Sequence, residues 1–363
     1  MMHGTKKFKV IDLFSGCGGL SRGFVDAGYE VILGIDNNET ALKTFKKNHN
    51  GAKVSNIDLF KKNAVYRIKE EIKEKIDVII AGPPCQGFSL TGSRNFDDKR
   101  NRLYIAVIES IDKLKPKAFL IENVPGLASL YDGTVKDEIV NRLSRMGYNV
   151  KVKILCAADY GVPQIRKRVF FIGLQKKYGE FYFPEPKYTP KDYITCSDAI
   201  GDLPSLEKEL GSEESRYSVT AKTAYQKMMR KNSSILYNHV ATKHTALVKS
   251  IISLVPEGGN HKDLPLGVGK NRTFNEAWTR YHSKKPSKTI DTGHRNHFHY
   301  KYNRIPTVRE NARLQSFPDV FRFFGTRTEQ NRQVGNAVPP LLGYYIGRQL
   351  LLCFNKKKYA SKK

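Results

Sequence analysis

The first half of this 363-residue chain alternates short apolar runs with longer amphipathic segments, and that alternation admits few folds. Strands separated by helix-length segments pair in parallel, because each return to the sheet needs a crossover. The runs predict strands at Lys9 to Phe14, Glu30 to Ile35, Ile76 to Ala81 and Ala118 to Ile121. Helices are expected between them at Gly19 to Ala27, Glu39 to Asn48, Val65 to Lys75 and Leu103 to Leu114. Val150 to Leu155 and Val169 to Leu174 read as an antiparallel pair connected through Tyr160 to Arg168. From about Lys176 to Lys301 the periodicity weakens and Lys, Tyr, Pro, Ser and His become common, which predicts a second domain built around loops. A helix at Thr307 to Gln315 and a last one from Pro340 to Cys353 close the chain, with a frayed tail from Lys356.

Charge narrows the class of partner. Lys and Arg total 62 against 35 Asp and Glu, a formal net charge of +27. Such an excess attracts polyanions, either nucleic acid or an anionic membrane face. No run approaches the ~18 apolar residues of a spanning helix; the nearest, Val338 to Phe354, carries two prolines and Arg348. The N-terminus lacks a signal-peptide core, so the expectation is a soluble, intracellular protein. Five cysteines at wide, irregular spacing, none in a C-x-x-C pair, support neither a zinc knuckle nor a disulfide framework.

Open parallel sheets bind ligands beyond the carboxyl ends of their strands. After the first strand stands Ser15-Gly16-Cys17-Gly18-Gly19, where glycines permit close backbone approach to a ligand, and after the second stands Asp36. That combination fits a nicotinamide cofactor as readily as S-adenosylmethionine. The third strand runs into Gly82-Pro83-Pro84-Cys85-Gln86-Gly87-Phe88-Ser89, placing a cysteine on a stiff turn. The fourth ends in Glu122-Asn123-Val124, which puts a carboxyl group beside that thiol. An isolated cysteine is usually packing; one fixed by two prolines next to a strand-terminal Glu is a candidate nucleophile.

Gly82 to Ser89, Glu122-Asn-Val124, Gln164-Ile-Arg-Lys-Arg168, Arg313-Leu-Gln-Ser-Phe-Pro-Asp319 and Gln333-Val-Gly-Asn-Ala-Val-Pro339 together resemble the C5-cytosine-specific DNA methyltransferases of bacterial type. The motifs follow the family's order from residue 8 to about 350. The resemblance implies a Rossmann-like α/β domain dependent on S-adenosylmethionine, at 1–177 and 331–363. A smaller target-recognition domain is expected at 178–330.

It also implies the roles. Cys85 adds to C6 of cytosine, because C5 is a poor nucleophile until the ring is activated. Glu122 stabilises the N3 edge as that bond forms, Arg168 sets a positive charge near O2, and Arg166 supports the same loop or contacts the backbone. The base that removes the C5 proton is left open, with a water near Asn123 as one candidate. Phe14, Gly16, Gly18, Gly19, Asp36, Asn37, Asn56, Ile57, Pro84, Leu103, Asn336 and Ala337 line the cofactor. Asp36 replaces the commoner Glu, Asn37 stands where an aromatic is frequent, and the adenine acceptor is either Asn56 or, with a slipped register, Asp58.

For the partner the resemblance implies double-stranded DNA with the target base flipped out. Gln86, Ser89, Thr91 and Arg94 lie on the segment that closes over that base. His294, His297 and His299 lack acidic or thiol partners at ligand spacing, so no metal is expected, and they are assigned to a polar loop near the DNA. The motifs begin near residue 8 and end near residue 350, so no large regulatory domain is expected. The chain is therefore expected to be a monomeric, cytoplasmic, nucleoid-associated bacterial enzyme without membrane attachment, the modification enzyme of a restriction-modification system whose cognate endonuclease acts separately. The competing readings are a tRNA cytosine-5 methyltransferase, whose Cys-Phe-Thr insertion is absent, an inactive nucleic-acid-binding protein, and a nicotinamide oxidoreductase, which leaves Pro-Pro-Cys unused.

Overall fold

The computed structural model describes residues 7–84, 102–268, 277–293 and 296–360. They form two compact units, one of residues 1–156, 167–185 and 342–363 and the other of 157–166 and 186–341.

The first unit is a seven-stranded sheet with helices. In chain order its elements are β1 (Lys9–Leu13), α1 (Gly19–Ala27), β2 (Glu30–Asp36), α2 (Glu39–Asn48), β3 (Lys53–Asn56), α3 (Ala64–Glu71), β4 (Val78–Ala81) and α4 (Arg102–Leu114). They are followed by β5 (Ala118–Asn123), α5 (Gly126–Ser129), α6 (Thr134–Arg145), β6 (Tyr148–Cys156) and β7 (Lys167–Gln175). The strand order is β3-β2-β1-β4-β5-β7-β6. The first five strands are parallel, and β7 joins β5 and β6 antiparallel. The order reverses between β1 and β4, so the carboxyl ends of those strands form the crevice where such sheets take ligands.

Local chemistry explains the elements. β4 and β5 are buried along their whole length, as continuous apolar runs in a covered parallel sheet should be. The Asn38 side chain caps α2 by accepting from the Ala41 N–H, and Lys46 and Lys47 complement its last turn. Gly28 ends α1 at φ 106°, returning its N–H to Phe24 and Val25. Three expectations change. β3 is an additional strand, α3 stops at Glu71 because Ile72 turns extended, and the last helix, α12 below, continues through the lysines to Ala360. Lysine is a good helix former, so the tail propagates the helix rather than fraying from Lys356.

In the β5–β7 pairing Phe119 stands opposite Gly173. A Cβ added at Gly173 would lie 2.0 Å from the Phe119 ring, which is itself wholly buried. Gly173→Ala is therefore expected to destabilise the protein by about 1–3 kcal/mol through overpacking, read as a lowered denaturant midpoint at unchanged m-value.

The second unit carries α7 (Cys196–Ile200), β8 (Gly211–Ser215), α8 (Ala224–Arg230), β9 (Leu236–Val240), α9 (Ala246–Leu254), β10 (Thr279–Arg280), β11 (His297–Phe298), α10 (Val308–Leu314) and α11 (Arg327–Asn336). The long helix α12 (Pro340–Ala360) begins there and from Leu342 belongs to the first unit. The expectation of a loop-built region gives way to several short helices. α7, α8, α10 and α11 each start with a reciprocal capping box, at Thr195/Asp198, Thr223/Gln226, Thr307/Glu310 and Thr326/Glu329. Arg313 is wholly buried and bonds Asp202 at 2.8 Å and Asp319 at 2.7 Å, so its charge is paired on two sides. Cys196, Ile200, Tyr225, Leu236 and Leu314 belong to one buried apolar cluster of this unit.

Among the described residues no helix is long and apolar enough to cross a membrane, and no three His, Cys, Asp or Glu side chains cluster as a metal site.

Candidate active site

The turn after β1 is built by left-handed backbone. Phe14, Gly16 and Gly18 have φ of 59°, 52° and 91°, and the Gly18 N–H donates to the Ser15 carbonyl. At Gly18 a side chain is also sterically barred, because a Cβ would lie 2.3 Å from His49 Cε1. His49 is buried, stacks on Phe45 with centroids 4.2 Å apart, and is held near pKa 4 by burial. A neutral imidazole thus forms the floor of the turn. At Gly16 a Cβ would meet nothing within 4 Å, so the turn is open on that side. Gly19 opens α1 and is buried.

Asp36, at the end of β2, accepts from the Gly16 N–H at 2.9 Å and from the Asn38 N–H at 2.9 Å. Burial raises its pKa, and these backbone donors oppose the rise. Asn37 is exposed beside it. Asn56 pairs with Asp36 in the β2–β3 register, while its amide donates to Glu39 at 3.1 Å. Ile57 is buried and its N–H reaches the Asp36 carbonyl. Asp58 instead closes its own turn by accepting from the Phe60 N–H. Phe14, Gly16, Gly18, Asp36, Asn56 and Ile57 are thus gathered at the carboxyl ends of β1 to β3. Leu103 packs against the first unit's core from α4.

A second group gathers at the ends of β4 and β5. Glu122 is 8% exposed, and its carboxylate meets Arg168 Nε at 3.0 Å. Strand pairing explains the contact: Glu122 stands opposite Phe170 and Asn123 opposite Val169, so β7 delivers Arg168 alongside. Burial lowers the Arg168 pKa and Glu122 partly restores it. An arginine nevertheless stays charged at any working pH. Gly82 brings the chain past the pair, with its would-be Cβ 3.6 Å from Glu122 Oε2. Pro83 is buried and Pro84 exposed.

Sequence reasoning assigned Asn123 no fixed partner. Its amide donates to the Pro83 carbonyl at 2.7 Å and its oxygen accepts from the Val124 N–H at 2.8 Å. Asn123 therefore clips the Pro-Pro turn to the strand end that carries Glu122. Glu-Asn at a buried strand terminus was the available signal, but the partner lies 40 residues away. Cys85, Gln86, Ser89, Thr91 and Arg94 lie outside the described residues.

The remaining candidates sit in the second unit. Arg166 is 2% exposed and donates to the Gly335 carbonyl at 3.0 Å and the Ile290 carbonyl at 3.4 Å. Next to that anchor Asn336 is exposed, and the Ala337 carbonyl accepts from the Gln315 amide at 2.6 Å. The histidine expectation needs correction. His297 and His299 are buried, not on a polar surface loop. His299 stacks between Tyr300 and Tyr302 and lies 3.6 Å from Glu310, with burial pulling it down to about 3. Aromatic neighbours give these histidines the environment of core residues; His294 lies outside the described residues.

The sequence profile of the C-5 cytosine-specific DNA methylases matches residues 8–352. Type II methyltransferase M1.HphI of Haemophilus parahaemolyticus is 39% identical over 344 residues, covering 94% of this chain and 86% of that protein. Type II methyltransferase M.DdeI of Desulfomicrobium norvegicum is 38% identical over 366 residues, covering 94% and 88%. Among solved structures, an E. coli prophage-encoded protein assigned as a DNA modification methyltransferase superposes with a TM-score of 0.80 at 28% identity, covering 96% of this chain and all of that one. The S. pombe Dnmt2 methyltransferase gives a TM-score of 0.58 at 16% identity over 96% of this chain and 100% of that one, a likeness of fold. With its motifs in order, its doubly wound sheet and a match along nearly its whole length, the chain belongs to the C5-cytosine-specific DNA methylase family.

Proposed function

We propose that this DNA cytosine-5 methyltransferase acts on one flipped-out cytosine in a specific double-stranded sequence, with Cys85 as the nucleophile that adds to C6. The observation that carries the reading is the Glu122–Arg168 ion pair beside the clipped Pro83-Pro84 turn that leads directly into Cys85. Thiolate addition to C6 puts charge on the pyrimidine ring. Glu122 is the group to bond the N3 edge as that charge develops, and Arg168 both holds Glu122 in place and offsets charge at O2. Asn123 and Arg166 act as positioning residues. The proton on C5 is lost in the step that expels the thiolate, and its acceptor is a water.

The residues after β1 to β3 fit S-adenosylmethionine. The turn is open at Gly16, is closed to side chains at Gly18, and has a carboxylate at the end of β2. Phe14, Gly16, Gly18, Gly19, Asp36, Asn37, Ile57, Pro84, Leu103, Asn336 and Ala337 are assigned to hold it. Asn56, rather than Asp58, is assigned to adenine, since Asp58 is engaged in its own turn. When bound, the cofactor supplies an electrophilic methyl group. Catalysis is assigned to 1–177 with 331–363, and target reading to 178–330.

Two of the most similar relatives carry Type II methyltransferase names, which supports a place in a restriction-modification system. A monomer on bacterial DNA in the cytoplasm, with a separately acting endonuclease, completes the reading. The +27 charge then serves to neutralise phosphates, so binding should weaken steeply with salt.

Bisulfite sequencing of DNA from cells expressing the protein tests this. We expect 5-methylcytosine at one position of a short recurring sequence. Unmethylated DNA with methylated tRNA would overturn the reading in favour of a tRNA enzyme.

A further inference from the structure

The segment after β3 and the first turns of α3 carry Phe60, Lys61, Lys62, Tyr66, Arg67 and Lys69, and all six are exposed. Two of them are large rings, Phe60 at 50% and Tyr66 at 64%. No acidic residue interrupts the chain between Asp58 and Glu70. The nearest acids are turned elsewhere: Asp58 accepts from the Phe60 N–H at 2.9 Å, and Glu71 accepts from the Ser55 hydroxyl at 2.8 Å. Among the described residues none of the four cations has an ion-pair partner. Lys113 of α4 adds another positive charge, 5.6 Å from the Tyr66 ring centroid.

A lysine-rich chain has many solvated helix faces, and those of α1 and α6 show the ordinary pattern. Arg22 pairs with Asp26 and Arg142 with Glu138, one helical turn apart. The stretch after β3 has no such pairs and adds exposed aromatic surface. That combination suits a nucleic-acid backbone, whose phosphates and sugars take hydrogen bonds from Lys, Arg and Tyr side chains. Phe60 offers a ring to the apolar face of a deoxyribose.

Placement favours the same partner. Arg67 reaches the carbonyl of Asn56, the last residue of β3, at 3.5 Å, while Glu71 lies by Ser55, one residue back. α3 therefore descends past the end of β3, which leaves Lys61 and Lys62 beyond the carboxyl edge of the sheet. Asp36 and Glu122 stand at the ends of β2 and β5 on that edge. β3 is three strand spacings from β4 and four from β5. At about 4.8 Å per strand this is ~14–19 Å, or ~4–6 base-pair steps of about 3.4 Å.

We propose that Lys61, Lys62 and Arg67, flanked by Phe60 and Tyr66, form a phosphate-contacting surface of the catalytic unit that grips duplex DNA on one side of the target, ~4–6 base pairs from the flipped cytosine. This rests on DNA as the substrate and adds a contact outside 178–330. The surface touches no base edges, so it contributes affinity without sequence preference. Each phosphate neutralised steepens the logarithmic salt dependence by about 0.9, so three cations add ~2–3 to the slope.

The test measures fluorescence anisotropy of the full chain with two duplexes holding the mapped target, one ending about 3 and the other about 10 base pairs from the target cytosine on each side. Wild type should favour the longer duplex by ~10-fold or more at ~50 mM salt and lose most of that preference by ~200 mM. In Lys61→Gln/Lys62→Gln/Arg67→Gln the preference should fall to within ~3-fold. The charge-keeping Lys61→Arg/Lys62→Arg/Arg67→Lys should retain it. Lys73→Gln/Lys75→Gln/Lys115→Gln removes the same charge at exposed positions before β4 and β5, on the opposite edge of the sheet, and should retain it too. Equal loss in the two Gln variants, loss in the charge-keeping variant, or no length preference in wild type would overturn the proposal while leaving DNA as the substrate. A preference seen only with single-stranded extensions would overturn it as well. Failure of the wild-type chain to bind or methylate either duplex would overturn the reading beneath it.

Discussion

Glu122→Gln should lower the rate of methyl transfer by about 10²- to 10⁴-fold while leaving the fold and DNA affinity close to wild type. The substitution keeps the shape of the side chain and removes the charge that Arg168 holds at 3.0 Å. If Glu122 acts on the N3 edge only as the thiolate adds, the loss appears in the single-turnover rate and not in the Kd for DNA. Arg168 survives the change, since it also donates to the Lys167 carbonyl at 2.7 Å. Single-turnover transfer of labelled methyl, with a melting curve as the folding control, reads this directly. A rate within a few-fold of wild type would remove Glu122 from the chemistry.

Cys85→Ala should have the larger effect, a loss of at least ~10⁴-fold, because no other group can activate the ring covalently. Three of the four remaining cysteines, all but the half-buried Cys156 at the end of β6, are buried. Cys17 is buried and pushed up to about 12, Cys196 is buried with its thiol raised by desolvation, and Cys353 is buried at the side of α12. A thiol raised in this way supplies almost no thiolate at neutral pH. Gel-shift affinity should persist in the variant, separating loss of chemistry from loss of binding. Measurable turnover with wild-type binding would return the nucleophile's role to another residue.

Much of this was legible in the residues because it depends on local pattern. Continuous apolar runs marked β1, β2, β4 and β5, and the glycines of Ser15 to Gly19 marked the turn. Glu122 was found for the same reason, as a carboxyl at the end of a buried strand. β3 was missed because Lys-Val-Ser-Asn has one buried side chain and no apolar run to reveal it. The short helices α7, α8 and α11 of the second unit were missed because five to ten residues offer too little periodicity, although their capping boxes stood in the sequence at Thr195, Thr223 and Thr326, whereas α10 was expected at Thr307 to Gln315. Contacts distant in sequence could not be read at all: Asn123 clipping Pro83, His49 under Gly18, and Arg166 anchored to Gly335. His297 and His299 misled for the same reason, since only the tertiary fold places tyrosines on their faces.

The central claim is that the chain forms a covalent bond from Cys85 to C6 of cytosine in DNA. Duplexes carrying 5-fluorocytosine at the mapped target, incubated with the protein and S-adenosylmethionine, test it most directly. Fluorine cannot leave as the C5 proton does, so the adduct should persist as a denaturation-resistant complex whose modified peptide contains Cys85. Absence of any complex from an enzyme that methylates unfluorinated DNA, or a complex mapped to another cysteine, would contradict the account.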